Sequence, residues 1–119
     1  MRSAPSLSSS SVLVAPLALN AICVSGVTAV DLSYNSVGDV GARGIGEALM
    51  GHEHIKELCL NWNSIGPFGM QSIARGIENN ATLTSVSLGW NGAHGVGGTA
   101  LGAAIASSKS LRFLDLTQN

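Results

Sequence analysis

This chain carries very little charge. Six Lys and Arg stand against seven Asp and Glu among 119 residues, for a formal net charge of −1. A nucleic-acid-binding domain clusters Lys and Arg along one face or one helix. No basic stripe occurs here, so nucleic acid is not an expected partner. Cysteine is scarcer still. Cys23 and Cys59 make no disulfide framework and fit no zinc spacing, which reads as ordinary reduced thiols in an intracellular, cytoplasmic protein. A long hydrophobic run is also missing. The apolar stretch 12–19, broken by Pro16, falls short of the roughly 20 residues of a spanning helix, so no membrane partner is expected. What remains is a chain with 45% apolar residues, the composition of a globular protein rather than a disordered one.

Into that composition is written a repeat with a fixed offset of 28 residues. Leu32, Leu60, Leu88 and Leu116 share one register, and Asn35, Asn63, Asn91 and Asn119 another. Val27, Ile55, Leu83 and Leu111 open the units, with Val30, Leu58, Val86 and Leu114 three residues later. The columns agree without an insertion and define units 27–54, 55–82 and 83–110 and a partial unit 111–119. Such a period marks a solenoid, in which each rung buries its apolar side against its neighbours and about three rungs are the minimum for stability. The strand 111–116 has no following helix in the sequence, so the expectation is a piece of a longer array. Residues 1–26 leave three readings open. Leu17 and Ala21 fall on the register of Ile45 and Leu49 and suggest the helix of a degraded earlier repeat. Arg2, the serines 6–11 and the apolar stretch resemble a secretory signal. An unstructured or mistranslated start is the third.

Within a unit the spacing prescribes a strand, a turn and a helix. Leu58 and Leu60 lie two apart, on one face of a strand. Asn63 ends that strand, its amide placed to satisfy backbone groups that a sharp bend would orphan. Gly66 and Pro67 suit a helix start, where proline loses no hydrogen bond, and Ile73 and Ile77 form an inward stripe. The pattern predicts parallel strands centred on Val30, Leu58, Val86 and Leu114, with helices over 40–51, 68–79 and 97–107. Gly41, Gly69 and Gly97 form a column where a side chain would part helix from strand. The glycines 95, 97 and 98 lack the spacing of a dinucleotide fingerprint and the Lys-Ser/Thr of a phosphate loop, so no cofactor is expected. Glycine inside a helix costs roughly 1 kcal/mol relative to alanine, which makes the third unit the least stable.

The Leu-x-Leu-x-x-Asn-x-(Ile/Val)-Gly-x-x-Gly core of these units resembles the ribonuclease-inhibitor-like class of leucine-rich repeats, as in NOD-like receptors and Ran GTPase-activating proteins. The first two units match at nearly every landmark; the third departs at Ala93 and His94. The resemblance covers 27–119 and implies an α/β leucine-rich-repeat solenoid, a horseshoe with a parallel sheet on its concave face and helices on its convex face. By implication the chain is a non-enzymatic protein-interaction scaffold, the recognition region of a NOD-like-receptor-type protein. The alternative is a regulator of a small GTPase, of the GTPase-activating type.

No nucleophile stands beside a base among the outward positions of the strands, so no catalytic residue is assigned. Asp31, Lys56, Glu57, Arg112, Phe113 and Asp115 are the outward candidates for contact with a protein partner. Tyr34, Trp62 and Trp90 form a column just before the asparagines, and in-register stacking would line them along the edge where strands enter the turns. Such side chains are enriched in binding hot spots; a ladder that only covers the turn backbone is the alternative. His52, His54 and His94 read as solvated surface residues, and no metal is assigned.

Overall fold

The computed structural model describes residues 11–12 and 28–119. Three-residue strands recur at the repeat interval: β2 Ala29–Asp31, β3 Glu57–Cys59, β4 Ser85–Ser87 and β5 Phe113–Asp115. They pair in parallel and in chain order, with Val30 opposite Leu58, Leu58 opposite Val86 and Val86 opposite Leu114. Between them run α1 Gly38–Gly51, α2 Pro67–Glu78 and α3 His94–Ser107. The result is the expected α/β solenoid, with a parallel sheet on one side and helices on the other. A further strand, β1 Ser11–Val12, pairs with β2 and sets Ser11 opposite Ala29. That pairing joins residues 18 apart, so the step into the first full rung is shorter than the rest. The helix expected at Leu17 and Ala21, the signal-like alternative and Cys23 lie outside the described residues.

Each apolar column packs between sheet and helices. Leu32, Leu60 and Leu88 are fully buried, as are Ile45, Ile73 and Leu101 on the helices. Burying one such side chain stabilises by roughly 1.5–3 kcal/mol, which is what holds three-residue strands in place. The helices start slightly earlier than the pattern predicts. Gly38 and His94 take left-handed φ values of 63° and 53°, and this turn brings the chain into α1 and α3 before the first apolar position of the stripe. α2 enters differently, through an extended Gly66 and Pro67 in the first turn.

Two ladders of side chains tie the turns together. At the strand ends, the Oδ1 of Asn63 accepts from the N–H groups of Asn35 (2.8 Å) and Val37 (3.2 Å), while its Nδ2 donates to the carbonyl of Leu32 at 2.9 Å. Asn91 repeats this one rung on, accepting from Asn63 and Ile65 and donating to Leu60. Asn119 does so again toward Ala93 and Leu88. The asparagine column therefore has the structural role its position suggested. The second ladder lies where helices return to strands. Asn80 accepts from the N–H groups of Thr82 and Leu83, and Ser108 accepts from that of Leu111. In the first rung the same position is His52, whose Nδ1 accepts from His54 at 3.2 Å and Ile55 at 3.1 Å.

Glycine matters most where helices meet. A Cβ on Gly76 would lie 2.6 Å from the carbonyl oxygen of Gly46, so α1 and α2 approach to backbone contact there. The Gly69 and Gly97 column also serves packing, but against different neighbours than expected. A Cβ on Gly69 would meet Asp39, Ile65 and Ala42, and one on Gly97 would meet Ala93 and Met70. The close approach is to the turn and to the preceding rung's helix rather than to the strand beneath.

Candidate functional site

The strands do not stop pairing where the sheet ends. The N–H groups of Tyr34, Trp62 and Trp90 donate to the carbonyls of Asn61, Gly89 and Thr117 on the next rung, at 3.0, 3.0 and 2.7 Å. Each aromatic residue then turns the chain with a left-handed backbone, at φ of 62°, 58° and 57°. The repeated turn throws all three rings to the same side. Tyr34 and Trp62 stack with centroids 5.9 Å apart and planes 11° from parallel; Trp62 and Trp90 stack at 4.5 Å and 6°. The three residues are 55%, 44% and 44% exposed. The fourth residue of the column, Gln118, has the same backbone at φ 56° and ends the aromatic row.

A second row on this edge was not recognised from the sequence. Val40, Phe68 and Val96 occupy the first turns of α1, α2 and α3, one repeat apart, and all three are exposed, Phe68 by 72%. The signal was present: Val40 lies on the opposite side of an ideal helix from the buried Leu49, so an apolar residue recurs outside the inward stripe. Six of the nine exposed large apolar or aromatic side chains among the described residues belong to these two rows.

The other candidates do not join it. Lys56 and Arg112 precede β3 and β5, at the opposite end of the strands. Glu57 and Phe113 are both exposed but are separated by Ser85, which pairs with each. Asp31 is not an open contact residue, contrary to expectation. It is buried, and its Oδ1 accepts from the N–H of Ser33 at 3.0 Å. Ser33 is buried as well, its Oγ 3.0 Å from the Sγ of Cys59, so this part of the sheet face is occupied by its own polar contacts. Asp115 is half-buried; hydrogen bonds from the side chain and backbone of Thr117 hold its carboxyl below the usual carboxylate range.

The histidines also divide. His54 and His94 are exposed as expected, but His52 is only 3% exposed. Its role in the turn draws it inward, and desolvation, followed by the nearby His54, lowers its pKa from 6.5. Among the described residues no three His, Cys, Asp or Glu side chains come together as a metal cage, and no helix is long and apolar enough to cross a membrane.

Comparison with known proteins agrees with the fold. Among curated proteins none matches the chain. Among solved structures it is similar to leiomodin-1 actin-binding site 2, with a TM-score of 0.77 and 21% identity over 90% of this chain and 69% of that one. At that identity the likeness is one of fold. The family model for the leucine-rich repeat matches residues 27–46, 51–74 and 79–102, more than half of the sequence. Those three matches fall on the three full rungs, and the chain belongs to the leucine-rich-repeat family.

Proposed function

We propose that this chain is a non-enzymatic protein-interaction module that takes its partner along the aromatic edge, as the recognition region of a NOD-like-receptor-type protein. The observation that carries the proposal is the left-handed backbone under Tyr34, Trp62 and Trp90. That conformation costs an L-residue roughly 1–2 kcal/mol, and it is imposed on three bulky side chains. Two stacked pairs return about 0.5–1.5 kcal/mol each. Glycine would avoid that strain, and Gln118 holds the same backbone at φ 56° without a ring, so the turn itself does not call for an aromatic residue. An exposed aromatic row that the turn does not require is accounted for by a surface kept for a partner.

The second row adds apolar area of the same kind. Val40, Phe68 and Val96 carry no charge, so the edge suits an apolar protein surface rather than a phosphate backbone. The 28-residue unit is common to the receptor-type reading and to the GTPase-activating alternative, and no residue at this edge favours the latter. The actin-binding site named for leiomodin-1 makes actin a natural first protein to try.

The deciding experiment is a pull-down with the whole chain as bait, set beside thermal melts. Trp62→Ala should weaken partner binding by roughly 2 kcal/mol or more, the scale of a hot spot, and leave the repeat folded. Phe68→Ser should weaken binding with little change in melting temperature. If binding falls only in proportion to lost folded protein, the row is a structural ladder and the proposal fails.

A further inference from the structure

One of the asparagines that tie the rungs together stands in front of a glycine. Asn35 and Asn63 are followed by serine, but Asn91 is followed by Gly92. Asn-Gly is the pair that loses its side-chain amide most readily in peptides, because no side chain shields the backbone nitrogen that attacks it. The turn does not demand this glycine. Its backbone is not left-handed. The atoms nearest to a Cβ built on Gly92, His94 Nε2 and the carbonyl oxygen of Ile65, lie at ordinary contact distances of 3.5 and 3.6 Å. In the closed turn both reacting groups are held. The N–H of Gly92 donates to the carbonyl of Ile65 at 2.7 Å. The Nδ2 of Asn91 donates to the carbonyls of Leu60, Leu88 and Gly89 at 3.0, 3.0 and 3.2 Å, and its Oδ1 accepts from Asn63 and Ile65.

We propose that Asn91 is a modification site that records opening of this turn: once the turn opens, Asn91 deamidates, and the product keeps it open. The backbone nitrogen of Gly92, its proton passed to hydroxide, attacks Cγ of Asn91. The new C–N bond closes a succinimide ring, the Cγ–Nδ2 bond breaks, and Nδ2 leaves as ammonia after taking a proton from water. Water then opens the ring at either carbonyl, giving aspartate or isoaspartate. The balance is one water in and one ammonia out. Neither product restores the ladder. A carboxylate oxygen in place of Nδ2 sets negative charge against three carbonyl oxygens and removes their donor. Isoaspartate also carries the main chain through the side-chain carbon, which adds an atom to the turn. Trp90, whose left-handed backbone immediately precedes Asn91, then loses the frame that stacks it on Trp62. Where the aromatic edge is the binding surface, as proposed above, the modification is a one-way loss of that surface; the site itself does not depend on that reading.

Peptide mapping by mass spectrometry of the 119-residue chain, incubated at mildly alkaline pH and body temperature, tests this without a partner. Conversion at Asn91 should be at least about tenfold faster in urea than in buffer, because the closed turn must open locally before the nitrogen can attack. Gly92→Ala should keep the parent's melting temperature and lose the conversion in urea. Chain converted in urea and returned to buffer should melt lower than the parent, and its Trp90 and Gly92 amides should lose protection from hydrogen exchange. Gly92→Ala carried through the same urea step should regain its melt, which separates the modification from damage by urea. Asn91→Asp should reproduce the lowered melt with an ordinary backbone. An Asn91 that stays intact in urea overturns the proposal, as does conversion equally fast in buffer. A converted chain with the parent's melt and protection overturns it too. A converted chain that loses protection at this turn yet holds its partner as before would support the site and sink the aromatic edge as the binding surface.

Discussion

Asp39, in the first turn of α1, accepts a hydrogen bond at 2.6 Å from the backbone N–H of Gly66, one rung on. The same Oδ1 takes a second from Gly69 at 3.1 Å. A side chain of one helix thereby caps the start of the next, where no side chain of α2's own cap residue does so. The corresponding positions in the later rungs, Pro67 and Gly95, cannot repeat it.

Replacing Asp39 by Ala should cost about 1 kcal/mol, the usual worth of an N-cap. Asp39→Asn keeps an acceptor oxygen and should lose less. Urea denaturation midpoints compare the three proteins; an Ala variant as stable as the parent would show that water serves these N–H groups equally well.

His52 makes stability depend on pH. Its Nδ1 must be unprotonated to accept from His54 and Ile55, and among the described residues Nε2 is buried without a partner. Burial first, and His54 second, lower its folded-state pKa below 6.5. The unfolded chain then binds more protons than the folded one between the two values, so stability rises with pH across that window and is lost as pH falls through it. The contribution is complete above about 6.5, declines as pH drops through the folded pKa, and is flat below it. Asn80 caps the equivalent turn with a group that does not titrate. His52→Asn should therefore flatten the dependence of unfolding free energy on pH across this window, and an unchanged slope would assign it to other groups.

The repeat made the four regular strands legible, because stacking in register leaves no freedom in which residues oppose one another. The helices were legible to within a few residues for the same reason; glycine 97 and 98 lie inside α3 despite their poor propensity because Leu101 and Ala104 bury on the rungs beneath. The aromatic row was legible as a column, but its strained backbone was not, since it follows from the turn rather than from Trp or Tyr. His52, Asp31 and Asp39 were misjudged or missed because their partners are backbone groups, which carry no signature in sequence. β1 was missed because its pairing leaves the repeat period.

Gly46 and Gly102 share a register but face different surroundings, so one substitution should act in opposite directions. A Cβ on Gly46 would run into the carbonyl of Ser72 on α2. Forcing the helices apart costs roughly 1–3 kcal/mol, which outweighs the gain in helix propensity. At Gly102, with open space around it, alanine should stabilise by up to about 1 kcal/mol. Melts of both variants at low protein concentration check the signs, and a stabilised Gly46→Ala would contradict the backbone contact between α1 and α2.

Leu60 tests the assignment of faces as a whole. It is fully buried and shares its column with Leu32 before it and Leu88 after it, so truncation leaves a cavity bounded by three rungs. Buried Leu→Ala changes cost about 2–5 kcal/mol, against a total of about 5–15 kcal/mol for a typical domain. Lys56→Ala, at an exposed position of the same rung, should stay within about 0.5 kcal/mol of the parent. The cavity should also loosen the coupling between outer rungs, because a solenoid transmits stability only through nearest neighbours. Leu60→Ala is therefore expected to broaden the melting transition as well as lower its midpoint. A Leu60→Ala melt that matched Lys56→Ala would mean that the leucine column does not form the core.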